Sequence, residues 1–117
     1  MPFVVAVRNN VATSLANESK WVSLHTTDPG TSGSAECATA GYARIAATGW
    51  NGPTNGITSA NEVTFTIGAP GGTFTHYGLW GSQTGTDFKG GFPLSATATV
   101  APSGPIKVTP TINIVGN

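Results

Sequence analysis

The sequence predicts an all-β fold: an antiparallel β-sandwich of jelly-roll or immunoglobulin-like size, preceded by a short N-terminal helix or arm. Three observations predict it. Beyond residue 20 the apolar positions recur with period two. Clusters of Gly, Pro, Asn and Asp interrupt them about every 8 to 12 residues, the spacing of sandwiches and barrels. Helical spacing is confined to the first segment. The 117 residues are read as one domain, 1–117, with the helix or arm at 1–19 and the sandwich at 20–117.

In the first segment Val4, Val7, Val11 and Leu15 share one helical face, which is expected to be the buried one. Pro2 suits a first-turn position. Arg8, Asn9, Thr13 and Asn17 are expected to face outward, and the helix to end near Asn17 to Ser19. Valine is a mediocre helix former.

In "WVSLHTT" Val22 and Leu24 point one way, while Trp21, Ser23 and His25 point the other, onto an outer strand surface. "DPGTSGSAE" reads as loop: Asp28 starts the turn by bonding the backbone ahead of it, Pro29 fixes the next φ, and Gly30 accepts positive φ. "GYARIAATGW" reads as a second strand, and "NGPTNG" as a turn. "NEVTFTIG" alternates most cleanly, with Val63, Phe65 and Ile67 toward the core. "TFTHYGLWGS" is a strand, "QTGTD" a turn and "FKGGFPLSATATV" a long irregular strand. "IKVTPTINIVG" closes the chain, and Pro110 within it marks an edge or a bulge. The total is six or seven short strands.

Charge is scarce. Five basic and five acidic residues cancel, and together they make up 9% of the chain, against about 25% in an ordinary soluble domain. A polar but uncharged surface packs against other subunits with little desolvation penalty. The composition therefore points to life inside an assembly. Five scattered cations cannot form the basic stripe that phosphate neutralisation needs, so no nucleic-acid partner is expected. No run of about 18 apolar residues is present, so no membrane span is expected. Arg8 follows the first apolar run, the reverse of a secretion signal, and the sequon at Asn17 is read as chance.

Few residues could do chemistry. Ser23 and His25 share a strand face, but no G-x-S-x-G elbow accompanies them. His25, His76, Asp28 and Asp87 carry none of the usual metal-site spacings. Glu36 and Glu62 read as a loop charge and a strand-edge charge rather than a glycosidase pair. Cys37 is alone and reads as an apolar filler. Gly71-Gly72 and Gly90-Gly91 precede no helix, so they read as turn or bulge glycines. No catalytic, cofactor or metal site is expected. Trp21, Trp50, Tyr77 and Trp80 could stack on a sugar, but core and subunit interface are the favoured reading.

Several strings in order carry a resemblance: "VSLHTTDPGTSG" with Glu36 just after it, "GYARIA", "NEVTFTI", "THYGLWGSQTG" and "GGFPLS". From about residue 20 to 100 the chain resembles small structural proteins of tailed bacteriophages, tail-fibre-like or minor virion proteins encoded especially by phages of actinobacteria. Cys37 and Ala38 depart from that pattern, standing where a more polar turn belongs. The resemblance implies a non-enzymatic virion building block made in the bacterial cytoplasm. The expectation drawn from it is a capsid decoration (cementing) protein on the major capsid protein, as a homotrimer. A tail or fibre-tip subunit and a glycan-binding adhesion module are the alternatives. Phe3, Val4, Val7, Trp21, Trp50 and Trp80 are the expected interface residues, with Asp28, Pro29 and Gly30 as turn residues.

Overall fold

A computed structural model describes residues 3–114; Met1, Pro2 and the tail after Ile114 lie outside them, so the reading of Pro2 does too. One helix, α1 (Val5–Glu18), precedes eight strands. They are β1 (Trp21–His25), β2 (Ile45–Ala46), β3 (Ile57–Ser59), β4 (Val63–Ile67), β5 (Gly72–Trp80), β6 (Phe88–Val100), β7 (Gly104–Val108) and β8 (Thr111–Asn113). All pairings are antiparallel, and the all-β class is as expected.

One layer is a four-stranded sheet in the order β2-β1-β5-β6. The other is made of two two-stranded ladders, β4-β7 and β3-β8. Antiparallel strands bury one face by alternation. Val22 and Leu24 of β1 stand opposite Leu79 and Tyr77 of β5. They meet Val63, Phe65 and Ile67 of β4 and Ile106 and Val108 of β7 in a single core. Thr64 and Thr66 alternate outward, as their spacing predicts.

Three elements differ from the sequence reading. "GYARIAATGW" pairs as a strand only at Ile45 and Ala46, while the side chains of Tyr42 and Arg44 make the bonds described below. β3 forms just after the expected turn, in a stretch assigned no element; Asn55 at φ 53° and Gly56 at φ 79° reverse the chain before it. Pro110 has no N–H for a ladder and splits the final run into β7 and β8, which join different partners.

The helix buries the wrong face by hydrophobicity. Ala12 and Ala16 are its buried residues; of the expected face Leu15 packs half-buried against the core, whereas Val4, Val7 and Val11 are 68%, 40% and 40% exposed. At about 100° per residue, the buried face lies roughly one residue step from the valine stripe. The reason is close approach. The helix sits on the β3–β8 ladder, where Asn9 Oδ1 accepts from Gly56 N at 2.8 Å. Any Cβ on Gly56 would come within 3.0 Å of Arg8 Cβ. Arg8 and Asn9, expected to face outward, are thus half-buried against that ladder, and Ala12 and Ala16 enter the core. No helix among the described residues is long and apolar enough to cross a membrane.

Candidate functional site

Ser23 and His25 are the pair that most resembles catalytic machinery. They lie on the face of β1 away from the core, but both are fully buried, which corrects the outer-surface expectation. The loop from Thr26 to Glu36 folds back over them. Its return leg bonds β1 through Cys37 N to Leu24 O at 2.8 Å and Thr26 N to Ala35 O at 3.1 Å. Pro29 inserts against Gly91, where a side chain would leave it no room. Asp28 Oδ1 accepts from Gly30 N at 2.9 Å and shapes the start of the loop, with Gly30 at φ 63°.

Under the loop a proton chain is set by donor chemistry. The Trp80 indole N–H can only donate, and it donates to Ser23 Oγ at 2.7 Å. The Ser34 carbonyl, 2.7 Å from His25 Nδ1, can only accept, so Nδ1 carries the imidazole proton and donates to it. In the neutral ring Nε2 is then the acceptor, and the Ser23 hydroxyl donates to it at 2.6 Å. Every polar atom of the trio is satisfied with His25 neutral. Burial lowers the His25 pKa, outweighing the Ser34 bond and the Glu36 charge that favour protonation. The place a triad gives to a carboxylate is held by a backbone carbonyl. Ser23 has no route to a substrate. This trio anchors the loop.

Above the trio sits an ion pair that the sequence reading passes over. Arg44 grips Glu36 with two bonds, Nε to Oε2 and Nη2 to Oε1, each 2.9 Å. Its Nη1 donates to Ser82 O at 3.2 Å and Gly85 O at 3.0 Å. Its Cζ lies 3.4 Å from the Trp80 ring centroid, a desolvated cation–π contact. Tyr42 donates to Glu36 Oε2 at 2.7 Å and accepts from Leu24 N at 3.1 Å. Burial works to raise the Glu36 pKa, but bonds from Arg44 and Tyr42 outweigh it and hold the carboxyl below its ordinary value. Burial and the bond to Glu36 push the Tyr42 phenol well up. In so uncharged a chain, a glutamate and an arginine eight positions apart are the signal that could have found the pair.

These contacts also settle the aromatics. Trp80 is 4% exposed, closed in by Arg44, by Phe88 at 4.9 Å between ring centroids, and by Gly33. It is therefore an internal side chain, and the expectation that it forms an interface is corrected. Tyr77 is buried as well, its hydroxyl bonded to both Thr111 O and Thr111 N. Trp50 packs half-buried against the core, and Trp21 is half-buried opposite Trp80 in the sheet. The four rings form no open platform. His76 bonds Thr75 and is not joined to His25 in any cluster of metal-ligating side chains among the described residues. Cys37 is buried and free.

Two features remain on the surface. An open groove of about 550 Å³ runs past Leu94, Ala98, Ile106 and Val108, with Glu62 and Lys107 along it. The exposed large apolar side chains among the described residues are Phe3, Val4, Val5, Val7, Val11 and Ile57. Five belong to α1 or the two residues before it, and Ile57 to β3, which α1 packs against. Of the expected interface residues, Phe3, Val4 and Val7 are thus exposed.

A sequence profile of the family described as Podophage GP4 fiber I protein gp80 matches residues 5–113. No curated protein matches the chain.

Proposed function

Because this chain belongs to the family described as Podophage GP4 fiber I protein gp80, a phage structural family whose members are virion components, we propose that it is a non-enzymatic subunit of the tail fibre. The family's description names a fibre, which supports that placement over the capsid-decoration expectation. On this reading the partners are neighbouring tail proteins rather than the major capsid protein.

The observation that supports the mechanical role is the exposure of Phe3, Val4, Val5, Val7, Val11 and Ile57. Exposed apolar side chains of this size are what a subunit contact would cover. The residues that look chemical are spent inside the chain: Ser23, His25, Glu36, Arg44 and Trp80 bond one another and the loop. The burial of Trp80 and Tyr77 weighs against a glycan-stacking role.

Cryo-electron microscopy of the particle is the test. Density for this fold along the tail fibres supports the proposal. Density on the capsid faces instead would overturn it in favour of decoration. A glycan array carrying the isolated protein is expected to stay blank, and reproducible hits would restore the adhesion reading.

A further inference from the structure

The structure assigns Asn51, and not Asn55, as the site at which this chain modifies itself, by loss of ammonia, to aspartate and isoaspartate. The assignment does not depend on the fibre placement.

The chemistry starts from residue order. The chain holds two Asn-Gly pairs, Asn51-Gly52 and Asn55-Gly56. Glycine has no side chain to keep its backbone nitrogen away from a neighbouring carbonyl. The nitrogen lone pair adds to the asparagine Cγ and forms the N–Cγ bond. The Cγ–Nδ2 bond then breaks, and the glycine amide proton leaves with the side-chain nitrogen as ammonia. Water opens the cyclic imide. Attack at Cγ gives aspartate, and attack at the backbone carbonyl gives isoaspartate; either product ionises to a carboxylate. The reaction needs a free glycine nitrogen, a donor facing the developing oxyanion and an unheld leaving group. Residue order ranks the two pairs equally on all three.

The structure separates them. Gly52 is exposed, its N–H makes no hydrogen bond among the described residues, and the space where a side chain would stand is empty to 4 Å. Asn51 Oδ1 accepts from Ser59 N at 3.1 Å. A donor therefore already faces the oxygen on which negative charge develops. The bonds that hold Asn51 use its two oxygens and its backbone N–H, and none uses the departing Nδ2. Gly56 is the reverse case. It is buried, and its N–H donates to Asn9 Oδ1 at 2.8 Å. Thr54 and Ile57 bond each other in both directions across the turn, at 2.9 and 3.0 Å. Attack on Asn55 must first break the bond to Asn9 and work against that pairing.

The modification would matter in a chain with so little charge. Five basic residues would then face six acidic ones in place of five. Isoaspartate also lengthens the backbone beside the Asn51 N–H that bonds Ser59 O at 3.0 Å, at the end of β3.

Peptide mapping by mass spectrometry, after storage of the native protein in mildly alkaline buffer, tests the assignment. Asn51 is expected to convert about tenfold faster than Asn55, the factor carried by a buried backbone hydrogen bond that must break first. In urea the two rates are expected to converge. Gly52→Ala places its side chain in open space. It is expected to keep the wild-type circular dichroism and to leave Asn51 intact over the same storage. Isoelectric focusing should then show an acidic species growing in the wild type and not in Gly52→Ala. Native Asn55 converting as fast as Asn51 would overturn the assignment. So would a native Asn51 that stays intact while the denatured chain converts, or a Gly52→Ala variant that converts like the wild type.

Discussion

Arg44 lies flat on Trp80, its Cζ 3.4 Å from the ring centroid, while both prongs of its guanidinium hold Glu36. One side chain thereby ties the loop of residues 26–36, the strand β5 and the turn at Ser82–Gly85 to each other. Only a planar, forked cation can stack and pair at once. Arg44→Lys keeps the charge but loses the fork and the stacking. It is expected to destabilise the fold by about 2 kcal/mol, the scale of hydrogen bonds to charged groups. Arg44→Ala strands the half-buried Glu36 and is expected to cost about 3 kcal/mol. Urea denaturation midpoints check both, and a Lys variant as stable as wild type would remove the fork from the explanation.

Gly78 stands opposite Ser23 in the sheet. A Cβ there would come within 2.5 Å of Ser23 Oγ and 2.8 Å of His25 Nε2. Gly78→Ala is expected to destabilise by about 1–3 kcal/mol through overpacking. In a Ser23→Ala background part of that strain is relieved, so the two changes should be non-additive in a double-mutant cycle. Additive losses would mean that Gly78 matters for its backbone alone.

Acid is expected to loosen the loop. Burial holds the His25 pKa below its ordinary 6.5, against the pull of Ser34 and Glu36 and with a small push from Arg44 and His76. Below 6.5 the unfolded chain takes up a proton that the folded chain refuses. Stability is therefore complete above 6.5 and declines as pH falls toward the folded pKa. Glu36, also lowered, adds a second loss at more acidic pH, below its ordinary 4.5. Denaturation at stepped pH should show both limbs, and His25→Gln should abolish the upper one. An upper limb that survives in His25→Gln would assign it to another group.

Substitutions on α1 should run against hydrophobicity. Ala12→Leu adds bulk where the helix touches the β3–β8 ladder and is expected to cost about 1–3 kcal/mol. Val11→Ser removes an exposed methyl pair and is expected to shift monomer stability by less than about 0.5 kcal/mol. Thermal unfolding at low protein concentration compares the two, and the opposite ranking would place the valine face inward.

Tyr77 caps Thr111 with its hydroxyl, accepting from Thr111 N at 3.0 Å and donating to Thr111 O at 2.9 Å. Tyr77→Phe leaves both groups short of a partner just after Pro110, where β8 begins. A loss of about 1–2 kcal/mol is expected, with faster amide exchange confined to β8 and its partner β3. Unchanged exchange there would show that water replaces the hydroxyl without loss.

Several features could be read from residue order because local rules decide them. Val63, Phe65 and Ile67 alternate, so one side of β4 faces the core in any antiparallel pairing. Asp28 bonds Gly30 N within three residues, and Pro110 lacks a ladder donor wherever it sits. Scarce charge and the ordered strings of the family depend on composition and order alone.

Other features rest on distances between residues far apart in the chain, and only the tertiary structure decided them. Ser23 and His25 take the outer side of β1 by alternation, but whether that side is wet depends on a loop folding back and on Gly78, Phe88 and Trp80 arriving from β5 and β6. The helical period located a stripe on α1 and could not say which stripe meets the sheet. Docking of the helix on the β3–β8 ladder put Ala12 and Ala16 into the core and left the valines outside it. Periodicity along the chain thus determined which residues share a face, and long-range packing decided which face is buried.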